Sequence, residues 1–296
     1  YHKSVFDKCN LICTFDKTNL IEFQQMGVKN IHHLPLAVDT GRISHILDTS
    51  DDLHLYKNEI SFVGSLYERN SYDRVEHTLP DYLRGYFDAV MEIQSDLYGA
   101  SVIEDSLTPD ILKDLEQYYK LEKSPGSLSD LSLIFSTTTL GFKIAQIERK
   151  RALNLLSATL PVSIYSNSDT EDLIKVEYRG SLDYWAEMPK VFNQSKINLN
   201  FTIPNIKSGI PLRIWDILGS GGFLLTNFQA ELPLYFEDGI DMVSFYSRRD
   251  LKDKAAYYLS HDAEREKIAE SGYRKVCELH SYDVRMAKLQ SLIKNF

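Results

Sequence analysis

Short apolar runs alternate with amphipathic stretches along most of this 296-residue chain. The runs are bounded by polar residues or glycine, as in strands buried on both faces. Between them, apolar positions recur at intervals of three and four, which is typical of helices with one buried face. This alternation predicts an α/β fold with a mostly parallel sheet. The predicted strands are residues 59–64, 162–166, 174–178, 197–201, 223–226 and 242–246.

The same pattern divides the chain into segments. Residues 1–38 hold two strands around one helix, too little for a domain, and are predicted to end a preceding domain or to dock on the main body. Residues 39–58 are polar and are predicted to be a linker. The main domain is predicted over 59–280, with a helical insertion at about 80–140, and a final amphipathic helix over 281–296.

The stretch from 196 to 227 combines a strand, a polar loop, a short helix and a second strand. In a parallel sheet, ligands bind beyond the carboxyl ends of the strands, and a loop entering a helix offers N–H groups to an anion. The loop holding Gly209 and Pro211 is therefore the first candidate binding site. The glycines at 219–222 follow the helix, which favours a helix C-cap over a phosphate loop.

Charge and hydropathy argue against two kinds of partner. The formal net charge is −9, whereas general nucleic-acid binding requires a concentrated basic surface. No apolar run approaches the roughly 20 residues that span a bilayer, so we predict no transmembrane segment. An acidic chain can still bind a phosphorylated small molecule, because one Arg or Lys and a few amides suffice.

The residues that bind metals in other proteins are poorly placed for it here. Cys9 and Cys13 lack a second ligand pair, and His32 and His33 are neighbours on a predicted strand, so they point to opposite faces. There is also no Asp-x-Asp cluster at a strand end to hold a divalent ion. We therefore predict no metal site. The odd number of cysteines, three, with no secretory signal beside them predicts a reducing, cytoplasmic setting.

Several motifs occur in an order that resembles a known family. They are FVGSLYERN, ERKRALNLL, VSIYS, RGSLDYWAEMPKVFNQSKINLNFT, PLRIWDILGSGGFLLTN and HSYDVR. This order is similar to that of the group-1 glycosyltransferases of GT-B fold, and within them to the branch typified by the spore-maturation protein CgeB. The segment CNLICTFDKTNLIEFQQMGVKNIHHLPLAVD resembles the end of that branch's N-terminal domain and its crossover. The resemblance covers most of the chain outside residues 80–140.

The resemblance implies a Rossmann-like C-terminal domain that binds a nucleoside diphosphate sugar, with a remnant of the N-terminal domain. The implied activity is that of a hexosyltransferase-like enzyme. It would transfer the sugar to an unidentified acceptor (a glycan, a protein or a small molecule) without a cofactor or metal and with retention of configuration. A UDP-sugar is placed first among the donors. A non-catalytic nucleotide-sugar-binding or scaffold domain is the alternative function, and a sugar-nucleotide epimerase is a more distant one.

The resemblance also assigns residues in the candidate loop. An acid on the helix, Asp216, would bind the ribose hydroxyls, since a carboxylate accepts two hydrogen bonds from a vicinal diol. Arg213, one turn into the helix, would neutralise phosphate charge, or would form a surface salt bridge. The loop expected to meet the diphosphate consists of Ser208, Gly209, Ile210 and Pro211.

Other residues are assigned to the donor by the same resemblance. Gly64 and Ser65 would face the donor phosphates from the first loop. Arg149 would lie near the phosphates, or would form a structural ion pair with Glu148 or a neighbouring acid. Around the nucleobase we expect Tyr165, Gly180, Ser181, Leu182, Tyr184 and Met188. Tyr165 and Tyr184 are equally compatible with core packing, because aromatic side chains bury large areas anywhere.

The chain departs from the family pattern at two points. Related enzymes commonly carry two acids eight positions apart in this loop, and the position eight before Asp216 is Ser208. The second acid is Asp where Glu is usual. The family's acceptor domain is also larger than residues 1–38, so the rest lies outside this chain or a partner supplies it. These departures motivate the non-catalytic alternative.

Overall fold

The computed structural model describes residues 2–122 and 125–296. Its strands form a two-stranded parallel sheet, β1–β2, and a six-stranded parallel sheet of order β5-β4-β3-β6-β7-β8. The predicted α/β class with a parallel sheet is therefore confirmed. The strands are β1 (Ile12–Thr14), β2 (Ile31–His33), β3 (Asn58–Val63), β4 (Val162–Tyr165), β5 (Glu177–Tyr178), β6 (Ser195–Asn200), β7 (Leu224–Asn227) and β8 (Val243–Phe245).

Helices connect these strands and cover both faces of the large sheet. They are α1 (Lys17–Gln25), α2 (Thr40–Thr49), α3 (Tyr72–Val75), α4 (Asp81–Gln94), α5 (Ile103–Ser106), α6 (Pro109–Leu115), α7 (Leu131–Ile134), α8 (Gly141–Ser157), α9 (Met188–Gln194), α10 (Leu212–Gly219), α11 (Arg248–Ser260), α12 (Asp262–Leu279) and α13 (Tyr282–Asn295). A π-helix, Phe135–Leu140, joins α7 to α8.

The order of the strands reverses between β3 and β6. From β3 the chain moves outward through β4 to β5, and from β6 it moves outward through β7 to β8. This reversal is a topological switch point, where adjacent connections leave in opposite directions and open a crevice. Both central strands are buried on their two faces, as expected for a parallel sheet covered by helices.

Each face of the sheet has its own apolar core. On one face, α8, α11 and α12 pack against alternate residues of the central strands, among them Phe62 and Leu199. On the other, α9 and α10 pack around Trp215, which is fully buried as the anchor of α10. Gly221 follows α10 with φ of 72°, so this glycine is part of the helix C-cap, as predicted.

Residues between β3 and α8 form a helical block with a separate core. Helices α4 to α7 surround Phe87 and Phe135, whose rings lie 4.9 Å apart. This cluster extends to Leu140 and Ile144 at the start of α8. The sequence pattern predicts a helical insertion in this region. That this insertion is a separate unit of the fold stays a prediction.

Residues 2–57 pack beside the main sheet through several short elements. Residues 39–58, predicted to be a polar linker, contain α2 and a 3-10 turn, Leu53–Tyr56. The linker prediction missed α2 because the helix buries a narrow stripe around Ile43. The Asp39 side chain caps α2 by accepting a hydrogen bond from the Arg42 N–H at 3.0 Å, as expected of an Asp N-cap.

Candidate functional site

Arg149 lies at the switch point and ties the two central strands together. Its Nη1 donates to the carbonyl of Ser65, after β3, at 2.6 Å, and its Nη2 donates to the carbonyl of Phe201, after β6, at 2.7 Å. The side chain reaches there from the middle of α8. A cationic guanidinium is therefore fixed at the carboxyl ends of the strands, where ligands bind in folds of this type.

Arg149 forms no ion pair with a carboxylate in the described part of the chain, although the nearby Glu148 acts against the effect of burial on its pKa. The residue is 8% exposed, and burial lowers its pKa from the ordinary value, although a guanidinium stays protonated in proteins. Its guanidinium lies over the ring of Tyr67, 4.9 Å from the centroid. The ion pair with Glu148 does not form among the described residues, and burial raises the pKa of Glu148 to about 8.

The loop after β3 borders the same crevice. Gly64 donates its N–H to the Tyr165 carbonyl at 3.1 Å, and the exposed Ser65 accepts from the Tyr67 N–H at 3.0 Å. Tyr67 has φ of 56°, an uncommon conformation for a non-glycine residue that is often found at functional sites. Its ring stacks on Phe142 at 5.0 Å. The sequence did not identify Tyr67, because no residue pattern signals a left-handed tyrosine.

A second group of predicted site residues gathers on α10. The Tyr184 hydroxyl donates to Oδ1 of Asp216 at 3.2 Å, and Arg213 Nη1 lies 3.9 Å from the other carboxylate oxygen. Arg213 also contacts the Met188 sulfur. The structure thus brings together two segments, one holding Tyr184 and Met188 and the other holding Arg213 and Asp216. The cluster holds one cation, one carboxylate and a phenol within contact of each other.

Burial controls the protonation of this cluster. Burial raises the pKa of Asp216 above its ordinary value, against the opposing effect of the Arg213 charge. Burial and the neighbouring Asp216 raise the pKa of Tyr184 to about 12, so the phenol is a hydrogen-bond donor at neutral pH. The Asp216 carboxylate is therefore an acceptor whose strength depends on Arg213.

The loop after β5 covers the approach to this cluster. Gly180 has φ of 80°, a backbone conformation that glycine adopts without strain, and its carbonyl accepts from the Ser166 N–H at 2.8 Å. Ser181 is exposed, and Leu182 is partly buried against the core. The chain then turns so that Tyr184 reaches α10. Because β3, β4 and β5 are parallel, this loop leaves the same edge of the sheet as the loop after β3.

Tyr165 differs from the expectation that it borders a nucleobase. Its side chain is buried in the core, and its hydroxyl lies 3.3 Å from Oδ1 of Asn58. The alternation of side chains along β4 turns this residue inward. Of the two interpretations left open by the sequence, core packing is the one the structure shows for Tyr165.

The loop Ser208–Pro211 is contacted by the N-terminal segment. The buried Asp16 carboxylate accepts hydrogen bonds from the N–H groups of Ser208 at 2.9 Å and Gly209 at 3.0 Å. The expectation that these two amides are open to a diphosphate is therefore wrong for this conformation, since a carboxylate from another segment occupies them. Burial raises the pKa of Asp16, but the bonds from Ser208, Gly209 and Asn19 outweigh it, and the net shift is downward.

Gly209 is required by the same contact. A Cβ built on this residue would lie 2.9 Å from the Phe15 carbonyl oxygen and 3.1 Å from the Asp16 Cα. Both are backbone atoms that cannot move alone. The glycine therefore permits close approach of the N-terminal segment to the loop.

A second buried acid, Glu231, joins Asp16 at Ser208. The Ser208 hydroxyl lies 2.7 Å from Oε1 of Glu231 and 2.9 Å from Oδ1 of Asp16. Oε2 of Glu231 lies 3.2 Å from Nε2 of His33. The position at which related enzymes carry an acid is thus surrounded by two acids from elsewhere in the chain. The sequence missed both, because neither lies at a recognisable spacing from Ser208.

The start of α10 has no side-chain cap among the described residues. Pro211 is its N-cap and makes no side-chain capping bond, while Ile210 is buried just before it. The first N–H groups of a helix have no partner within the helix, and they carry a partial positive charge. The N–H groups at this end, together with Arg213, can bind an anion.

The described residues lack a metal-binding cluster and a membrane-spanning helix. No group of three or more His, Cys, Asp or Glu side chains there could hold a metal ion. None of the helices found in that part of the chain has the length and apolar character needed to cross a membrane.

A comparison with protein families gives a match in the carboxyl-terminal part of the chain. Residues 146–291 match the family described as "Glycosyl transferase-like". An 80-residue stretch is 31% identical to the spore protein CgeB of Bacillus subtilis (strain 168), and it covers 27% of this chain and 24% of that protein. The resemblance to glycosyltransferases and to the CgeB branch is confirmed at this level.

Solved structures extend the similarity to nearly the whole chain. A crystal structure of TarM aligns with a TM-score of 0.51 and 10% identity over 98% of this chain. Anabaena Alr3699/HepE in complex with UDP-glucose also gives 0.51, with 8% identity over 99% of this chain. The chain spans 44% of TarM and 65% of Alr3699/HepE. At such identities the shared property is the fold, that of about half a GT-B glycosyltransferase.

Proposed function

We propose that this chain, whose residues 146–291 match the glycosyl transferase-like family and whose fold is that of part of a GT-B enzyme, binds a nucleoside diphosphate sugar at the switch point and transfers the sugar to an acceptor. The observation that carries this proposal is the buried guanidinium of Arg149 between β3 and β6. A buried charge without a direct ion pair is costly, and an anionic ligand beside it would lower that cost.

The diphosphate is the part of the donor that this arrangement suits. Arg213 and the N–H groups at the start of α10 supply a second positive region on the β6 side of the crevice. Gly64 and the exposed Ser65 line the β3 side. The departing diphosphate would gain negative charge as the sugar–oxygen bond breaks, and these groups would stabilise it.

The nucleoside is assigned to the side of α10 that faces the β5 loop. Asp216 would accept hydrogen bonds from the ribose diol in exchange for its contact with Tyr184. Gly180, Ser181 and Leu182 would contact the base, largely through backbone groups. A uridine donor is tested first, because the Alr3699/HepE structure contains UDP-glucose.

Calorimetric titration with UDP tests this assignment. Arg213→Ala should weaken UDP binding at least tenfold, about 1.4 kcal/mol, because a charge-assisted contact to phosphate is lost. The matched control is Arg151→Ala on α8, where the side chain pairs with Glu92 at 2.7 Å, and it should leave the affinity unchanged. Equal UDP affinity in Arg213→Ala and the parent would remove Arg213 from the site.

A non-catalytic nucleotide-sugar-binding domain is the second candidate. It is favoured by the Asp16 carboxylate on the loop amides and by the absence of an acid at position 208. An assay of UDP-glucose hydrolysis and transfer separates the two functions. Binding without turnover by the full-length gene product would favour the non-catalytic function, and release of UDP with formation of a glycoside would favour the enzyme.

A further inference from the structure

A cavity of about 350 Å³ lies between α1, the helical block and the loop that follows β6. This volume is at the small end of the range for ligand sites, roughly 300 to 1,000 Å³. Its polar wall comes from three separate parts of the chain. The polar side chains in this wall include Thr18, Glu22, Ser101, Glu104, Thr137 and Lys207.

The charges around the cavity disfavour an anionic ligand. Lys207 Nζ donates to Oε1 of Glu22 at 2.6 Å and lies 2.7 Å from Oε1 of Glu104. Its positive charge is therefore already compensated by two carboxylates, and Asp105 adds a third acid to the wall. With three acids and one base, the cavity repels phosphate and offers carboxylate oxygens as acceptors.

The hydroxyl groups add more acceptors. In the π-helix, Thr137 Oγ1 donates to the Leu133 carbonyl at 2.5 Å, and Ser136 Oγ donates to the same carbonyl at 3.1 Å. Their protons are thus engaged inside the helix, and their lone pairs remain for a ligand. The Thr18 hydroxyl also has its proton engaged, because Oγ1 donates to the Ser208 hydroxyl oxygen at 2.9 Å. A π-helix of this kind is often found at functional sites.

A neutral molecule with several hydroxyl groups can donate hydrogen bonds to the carboxylate and hydroxyl oxygens of this wall. We propose that this cavity binds a single sugar ring, and that the helical block determines which sugar fits. This inference rests on the proposed function and deepens it. Ser208 belongs both to the cavity wall and to the loop that leads into α10, so a ring held here lies beside the region assigned to the diphosphate.

The ring can come from the donor or from the end of an acceptor glycan, because both present the same hydroxyl chemistry. Most of the wall lies outside residues 146–291, the part that matches the glycosyl transferase-like family. The residues that determine sugar specificity would therefore lie in the helical block and α1. The nucleotide site would remain with the matched domain.

The test uses Glu104→Gln and Thr137→Val in the full chain, with Ser101→Ala as a mild variant at an exposed position. Glu116→Gln, also exposed and in the helical block but outside the cavity, is the matched control. Thermal unfolding first verifies that each variant is folded. Calorimetry then measures UDP and UDP-glucose, and saturation-transfer NMR measures free methyl α-glucoside and maltose.

If the donor sugar occupies the cavity, the variants bind UDP like the parent but bind UDP-glucose at least fivefold more weakly. If an acceptor sugar occupies it, UDP-glucose affinity is unchanged and the saturation transfer to the free glycosides falls by half or more. Unchanged values for every sugar ligand, with UDP binding intact, overturn the cavity proposal and leave the nucleotide proposal standing. A parent that binds neither UDP nor any of these sugars overturns both.

Discussion

Asp16 is one residue that holds two parts of the molecule in place. Its carboxylate caps α1 through the Asn19 N–H at 3.1 Å and accepts the amides of Ser208 and Gly209 from the β6–α10 loop. Charge-assisted bonds of this kind are stronger than neutral ones. The residue therefore contributes both to a local helix start and to long-range docking.

Replacing Asp16 by Asn should destabilise the fold by about 2 to 3 kcal/mol at pH 7, because a buried charge-assisted acceptor of three N–H groups becomes a neutral amide. Its folded-state pKa is lowered, so its contribution is complete above the unfolded pKa near 4 and is lost as the pH falls through the folded value. Urea unfolding of Asp16→Asn against pH measures this.

Asp51→Asn, at an exposed position, is the control for this experiment and should unfold like the parent at every pH. A stability difference between Asp16→Asn and the parent that stays constant from pH 7 to pH 3 would contradict the assigned role. The difference should instead shrink as Asp16 becomes protonated in the parent.

At the scale of elements, the β6–α10 loop is shaped by close packing. Gly209→Ala should destabilise the protein by about 1 to 3 kcal/mol, since the new methyl group meets the Phe15 and Asp16 backbone. The matched substitution Gly85→Ala, inside α4, meets no atom within 4 Å. It should be neutral or stabilising, because alanine favours a helix. Equal effects of the two substitutions in urea unfolding would reject the packing argument.

Elements with buried faces were predictable from the sequence. The strand predicted over 59–64 is β3, Asn58–Val63, and the short helix predicted within 196–227 is α10, Leu212–Gly219. Elements at the edge of the sheet were less predictable from the sequence. Strand β5 has two residues where five were predicted, and both are exposed. The residue period indicates how an element is buried, and it is weak in an element such as β5 whose residues are exposed.

The candidate site was predictable only in part. The pattern of strand, loop and helix indicated where the loop lies, and the resemblance assigned Arg213, Asp216, Tyr184 and Arg149 to it or to its surroundings. Neither the sequence pattern nor the resemblance could identify Asp16, which contacts Ser208 across 192 positions of the chain. Such a pairing is determined by the packing of whole segments, and no motif in a single sequence records it.

At the scale of the whole molecule, Lys207 connects three parts: its own loop after β6, Glu22 of α1 and Glu104 of α5. Lys207→Met should leave the two carboxylates unpaired and loosen the outer parts together. We expect faster amide hydrogen exchange in α1 and α5, with β6 unchanged, because these half-exposed pairs hold the outer helices without supporting the sheet.

Arg249→Met provides the comparison, since Arg249 pairs with Asp253 at 3.8 Å within the single helix α11. Exchange should then increase only in α11. If Lys207→Met changes exchange in one of its two partner helices but not the other, Lys207 does not couple them.

The contact of Asp16 with the loop amides has a thermodynamic consequence. The N–H groups of Ser208 and Gly209 can serve one anion at a time. Any ligand oxygen that takes them must displace the carboxylate, so ligand binding there and docking of residues 1–38 are competing equilibria. By linkage, each weakens the other by the same factor. The strength of the N-terminal docking thus sets a ceiling on the affinity of this loop for phosphate, and lowering one raises the other.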